Sequence, residues 1–232
     1  AVGATTVAAA AREVRPTGAP VDLDSAVAAA AAAKTAAGDR TVAAFSWGDV
    51  ERWSAGTSLE RVLTRLKQAG LDAIADLPLD TITDSAAAVQ RLKTAGFERL
   101  RLTIGKAPAE SRPGLLLRAA ELQESCGVIQ SINPLPMALA AFRPTTGYED
   151  VKMVALARLA APNIPSIQLD WRRYGPKLAQ VALTFGVDDL DGIPAPAEAR
   201  EGRRRAPLAE IERNVAAAGF SPVERDGRFS LL

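Results

Sequence analysis

Histidine is absent from this 232-residue chain, and cysteine occurs once, at Cys126. Those two scarcities exclude much chemistry. Without imidazole there is no Ser-His-Asp triad, no histidine acid–base pair and no histidine-built zinc site. Without a second thiol there is no disulfide, and nothing activates Cys126, which reads as an inert buried side chain. Neither a Gly-x4-Gly-Lys-Ser/Thr loop nor a Gly-x-Gly-x2-Gly fingerprint occurs, so nucleotide binding by those routes has no support. A formal charge of +1 gives no general attraction to nucleic acid or to an anionic membrane, and no apolar run is long enough to cross a bilayer. The opening AVGATTV lacks a basic stretch followed by a hydrophobic one, which predicts a cytoplasmic protein.

What is present is repetitive punctuation. Gln68-Ala69-Gly70-Leu71, Thr94-Ala95-Gly96-Phe97 and Ser125-Cys126-Gly127-Val128 each close an amphipathic segment with glycine before an apolar one. Helix, glycine, strand, repeated, implies parallel strands in an α/β fold. Strands are predicted over 5–10, 41–45, 73–77, 99–104, 128–132, 167–171 and 188–190, and helices over 24–37, 58–69, 84–95, 109–125, 149–160 and 176–185. Thr57-Ser58-Leu59-Glu60 has capping-box spacing, Asp84 is placed to cap the next helix, and Gly186 to end the last one in a left-handed conformation. With 48% hydrophobic residues and no evident linker, the length fits one domain.

The run from Asn163 to Gly192, NIPSIQLDWRRYGPKLAQVALTFGVDDLDG, carries a resemblance. It is similar to the closing segment of the radical S-adenosylmethionine enzymes of the futalosine menaquinone route, aminofutalosine synthase and dehypoxanthine futalosine cyclase, and of their relative FO synthase. TSLERVLTRLKQAGLD at 57–72, the segment 115–128, RPTTGYEDVKMVALARL at 143–159 and AEIERNVAAAGFSPVERD at 209–226 resemble further segments in the same order. The resemblance implies a TIM-like parallel (β/α) barrel, partial or open, over 1–200, with a C-terminal helix and tail over 201–232 packed on it. It also implies a [4Fe–4S] cluster held by a Cys-x3-Cys-x2-Cys loop, and here the chain departs from the family, because one cysteine cannot supply three thiolates. The opening AVGATTVAAAAREV resembles the family's second strand, with Ala8, Ala9 and Ala10 where its relatives have glycines that contact S-adenosylmethionine.

In a barrel, side chains at the C-terminal ends of the strands converge. That rule nominates Ser46 and Trp47, Asp76, Lys106, Asn133, then Asp170, Trp171, Arg172 and Arg173, and finally Asp188, Asp189 and Asp191. The arginines suit a phosphate or carboxylate, the aspartates a ribose or a cation. Each has a plainer reading as a surface ion pair, a cap or a turn. Lys177 and Gln180 read as a surface helix face, and Arg203–Arg205 as a solvated linker.

Three readings follow. The chain is a degenerate, cluster-less relative of aminofutalosine synthase, a non-catalytic or regulatory partner subunit linked to menaquinone biosynthesis. Alternatively it is a binding protein or non-redox enzyme that takes a nucleoside-like ligand in the barrel mouth. As a third alternative it is a fragment of an active synthase, and only then would [4Fe–4S] and S-adenosylmethionine be its cofactors. No metal is expected from these residues. A missing first strand would leave an open sheet edge beside the strand at Thr5, to be covered by the C-terminal helix carrying Leu208, Ile211 and Val215 or by a second chain, as a homodimer or with a cluster-bearing homologue.

Overall fold

The structure, a computed structural model, describes residues 6–8, 13–14, 20–138, 145–192 and 207–231. In chain order the elements are β1 (Thr6–Ala8), β2 (Glu13–Val14), α1 (Leu23–Ala37), β3 (Thr41–Ser46), α2 (Trp47–Ser54), α3 (Leu59–Gln68), β4 (Ala73–Pro78), α4 (Ser85–Thr94), β5 (Leu100–Ile104), α5 (Arg112–Cys126), β6 (Ile129–Pro136), α6 (Gly147–Ala160), β7 (Ser166–Asp170), α7 (Trp171–Leu183), β8 (Asp189–Asp191), α8 (Pro207–Ala217) and β9 (Val223–Arg225).

The helices begin where short polar side chains can satisfy free backbone N–H groups. Asp22, Ser46, Ser58, Asp84, Thr146 and Asp170 each accept a hydrogen bond from the residue three positions on. The cap of α3 is therefore Ser58, not Thr57, and Glu60 pairs instead with Arg91 at 3.4 Å. Asp84 caps α4 as expected, and Gly186 has a positive φ. The helix expected from 176 starts at Trp171 and breaks at Gly175, whose φ of 77° only glycine adopts without strain. Trp171 is thus the first residue of a helix and not the last of a strand.

Every ladder between these strands is parallel, in the order β2-β3-β4-β5-β6-β7-β8-β1-β9. The run β3–β8 curls into a partial, open TIM-like barrel with helices on its convex side. Val42, Ile74, Leu102, Ile132, Ile167, Leu169 and Leu190 meet Leu63, Leu66, Leu92, Leu116, Val154 and Ala182 there in one apolar core. Because strand side chains alternate between faces, the intervening residues point the other way.

The position of β1 corrects the sequence reading. Thr6–Ala8, expected beside an open sheet edge, is paired on both sides, between β8 and β9, and the strand next to β3 is Glu13–Val14. Thr5, Ala9 and Ala10 lie outside the described residues. The edge of β1 is covered by β9, a strand the sequence does not announce, while α8 packs on α7 with Ile211 and Val215 fully buried.

Two residues past β9 the chain crosses to the opposite limb of the curl. Gly227 lies against Thr41 so closely that an added Cβ would stand 2.6 Å from the Thr41 Cβ. Its carbonyl accepts from Arg101 Nη2 at 3.3 Å, Phe229 lies under the guanidinium groups of Arg225 and Arg101, and Arg228 approaches Asp72 at 3.7 Å. Residues 226–231 thereby floor the curl at the N-terminal ends of its strands.

Candidate functional site

The concave face is polar. Arg101 and Thr103 on β5, Ser131 and Asn133 on β6, Gln168 on β7 and Asp189 on β8 are buried, and they alternate with the leucines and isoleucines of the core. Burial of this much hydrogen-bonding capacity is costly unless partners are found. At the floor they are: Arg225 makes a two-pronged ion pair with Asp189, whose Oδ1 also accepts from Gln168 Nε2 at 2.9 Å. For two hydroxyls they are not, Ser131 standing beside Arg101 at the level of the floor and Thr103 beside Pro78. Thr103 Oγ1 and Ser131 Oγ, on residues 5% and 0% exposed, have no hydrogen-bond partner among the described residues.

At the C-terminal ends of the strands the register brings nominated residues together in pairs. Ser46 stands beside Asp76, and Asp170 beside Asp191. The Ser46 hydroxyl is committed to the α2 cap, accepting from Asp49 N and donating to Asp49 Oδ2 at 2.9 Å. Asp170 accepts from Arg173 N at 3.0 Å, and the missing side chain of Gly192 leaves room for it, since a Cβ there would lie 2.6 Å from Asp170 Oδ1. Asn133 Oδ1 accepts from Leu135 N at 3.1 Å, and the Tyr174 hydroxyl donates to the Pro136 carbonyl at 2.7 Å. Burial raises the Tyr174 phenol well above its ordinary value, so it remains a neutral donor.

Other nominated residues are elsewhere. Trp171 is buried in the apolar core behind the sheet, whereas Arg172 and Arg173 are exposed, Arg173 Nε lying 4.0 Å from Asp170. Asp188 and Asp189 are not at the mouth. Asp188 accepts from Ile167 N at 2.8 Å and pairs with Arg158 at the N-terminal end of the strands, and Asp189 belongs to the floor. Burial raises the Asp188 carboxyl despite its arginine partner. Lys106 enters through its backbone: the N–H groups of Gly105, Lys106 and Ala107 converge on Asp80 at 2.6, 2.7 and 2.8 Å. Burial opposes the charge, yet these donors together hold the Asp80 carboxyl below its ordinary value. The sequence reading passed over Asp80, Thr103, Ser131 and Gln168. For Thr103, Ser131 and Gln168 the signal is a polar residue at every second position of an otherwise apolar strand; Asp80 lies in the turn after β4 and carries no such mark.

Comparison with known proteins decides the family. Residues 136–231 match the family described as the CofH/MqnC C-terminal region. This chain carries a CofH/MqnC C-terminal region. It is 30% identical to the 5-amino-6-(D-ribitylamino)uracil–L-tyrosine 4-hydroxyphenyl transferase of Archaeoglobus fulgidus, across 77% of this chain and 61% of the relative. To the aminodeoxyfutalosine synthase of Thermus thermophilus it is 33% identical, across 52% of this chain and 36% of the relative. The chain thus spans less than two thirds of these relatives' own length. Among solved structures, methylornithine synthase superposes with a TM-score of 0.58 at 15% identity, covering 84% of this chain and 62% of that one, and a maturase of the [FeFe]-hydrogenase with 0.51 at 12%, covering 95% and 64%. Those likenesses support the barrel and nothing finer.

The cluster expected in such relatives does not fit the residues of this CofH/MqnC-type chain. Three thiolates are needed, and its one cysteine, Cys126, is buried at the end of α5, away from the mouth, with its carbonyl accepting from Lys93. Among the described residues no group of three or more histidine, cysteine or carboxylate side chains is placed to hold a metal ion.

Proposed function

We propose that these 232 residues form a ligand-holding barrel that binds a hydroxyl-rich, nucleoside-like molecule on its concave face without building an iron–sulfur cluster of its own. In this reading it is a cluster-less, non-catalytic relative of aminodeoxyfutalosine synthase that works beside a cluster-bearing homologue in futalosine-type metabolism. The observation that carries the reading is that two buried hydroxyls, Thr103 and Ser131, have no hydrogen-bond partner among the described residues, on a face whose strands end at Asp170 and Asp191. An unsatisfied buried polar group costs about 1–3 kcal/mol, and a site for a hydrogen-bonding ligand accounts for keeping two. Carboxylates at the rim suit ribose or ribityl hydroxyls, and one of the relatives is named for a ribityl-bearing uracil.

Anaerobic reconstitution with iron and sulfide tests the cluster-less half of this reading. The full chain should stay colourless and retain no stoichiometric iron; a brown protein with about four irons per chain would refute it. The competing reading, in which these residues are one stretch of a longer synthase, requires a Cys-x3-Cys-x2-Cys loop in the same gene product, and reading the flanking gene sequence decides between the two.

A further inference from the structure

The floor and the walls of the curl are carried by the same strands. Arg101 stands two residues before Thr103 on β5, Gln168 two before Asp170 on β7 and Asp189 two before Asp191 on β8, so each pair shares one strand face. The segment 226–231 grips the lower member of each pair. Arg225, which leads into it, is paired with Asp189, and Asp189 accepts from Gln168. On the far limb, Arg101 donates to the Gly227 carbonyl. The Phe229 ring joins the two sides, its centroid 3.7 Å from the guanidinium carbon of Arg225 and 5.3 Å from that of Arg101.

The segment is also a loop that holds its own shape. Asp226 Oδ1 accepts from the backbone N–H groups of Arg228 and Ser230, both at 2.8 Å, and Asp226 N donates to the Ser230 carbonyl at 2.9 Å. Its reach to β3 and β4 is slighter: Gly227 packs on Thr41, and the Arg228–Asp72 pair is 3.7 Å long with the arginine 60% exposed, a kind of pair that contributes little. Phe229 has a φ of 62°, a conformation costly for a residue with a side chain and kept only where the surroundings enforce it. A self-contained loop with weak far contacts and a strained anchor is built to undock as one body. We propose that residues 226–231 are a latch that sets the width of the concave cleft: docked, it fixes the β5 wall against the β7–β8 wall, and undocked it lets the two part. For the ligand site, which rests on the reading above, the consequence is that docking of the latch and occupancy of the cleft favour each other, although the latch lies at the opposite end of the strands from the rim.

Pulsed electron paramagnetic resonance on the full chain tests the latch without any ligand. Nitroxides on Asp39→Cys, in the exposed turn before β3, and Ser221→Cys, in the exposed segment before β9, report the separation of the limbs in a Cys126→Ala background. The native latch should give one narrow distance. Gly227→Val, whose side chain has no room against Thr41, and Phe229→Ala, which removes the anchoring ring, should each move the mean outward by about 2 Å or more. Because Gly227→Val risks misfolding, Phe229→Ala, checked by circular dichroism, decides: an unchanged, narrow distance in that folded variant overturns the proposal. Isothermal titration of Phe229→Ala with 5-amino-6-(D-ribitylamino)uracil and aminodeoxyfutalosine reads the consequence, an affinity about tenfold weaker than that of the unaltered chain. Affinity unchanged while the limbs part would overturn the latch as a control of the site. No binding by the unaltered chain, with the limbs parting in Phe229→Ala, would sink the ligand reading and keep the latch.

Discussion

Asp189 and Arg225, with side chains 1% and 3% exposed, show what a single residue contributes to this fold. Removing either leaves the other charge buried and unpaired, so Asp189→Ala or Arg225→Ala should cost about 3–5 kcal/mol in urea unfolding, and the double variant clearly less than the sum. Thr103→Val and Ser131→Ala should do the opposite to the free protein. Removing an unpartnered hydroxyl should leave stability unchanged or raise it by about 1 kcal/mol, while ligand affinity falls. A loss of stability with affinity intact would make those hydroxyls structural. Asp80 supplies the pH test. Its folded-state carboxyl lies below its ordinary value, so its stabilisation is full above about pH 4 and disappears as pH falls through the folded value. Asp80→Asn should therefore be less stable than wild type at neutrality, with the difference shrinking in acid unfolding below about pH 4.

Elements that repeat were legible; elements that are short or made by distant partners were not. The helices closed by Gly70, Gly96 and Gly127 and the strands after them follow from apolar periodicity and turn chemistry, and α3 to α6 lie within a few residues of expectation. Helix α2 is eight residues of largely polar sequence that begins directly off β3, so no gap announces it. Strand β9 has three residues and owes its existence to pairing with β1, a partner more than two hundred positions away. At β8 the observed strand is Asp189–Asp191 rather than 188–190, so Asp189 is its first residue, at the N-terminal end, and Asp191 its last. That is why Asp189, expected at the mouth, belongs to the floor. The floor segment carries its own test: Gly227→Ala forces a methyl into Thr41 and should destabilise by about 1–3 kcal/mol in thermal or urea unfolding, most of it in folding cooperativity between β9 and β3.

At the scale of the whole molecule, parallel strands with helices on one side and polar residues on the other make a curl with a dry back, a closed floor and a hydrogen-bonding wall. The α/β class and the barrel resemblance could be read from the residues, as could the rim carboxylates Asp170 and Asp191. The order of β1 could not, because three residues carry no mark of which strand they join. Among the described residues no helix is long and apolar enough to cross a membrane. The central claim is that the concave wall holds a hydroxyl-rich molecule. It is tested most directly by isothermal titration of the full chain with 5-amino-6-(D-ribitylamino)uracil and with aminodeoxyfutalosine. Saturable binding of one of them, at one molecule per chain and weakened about tenfold by Asp170→Asn, is the predicted result; no saturable heat from either, or affinity indifferent to Asp170→Asn, Thr103→Val and Ser131→Ala, would contradict it.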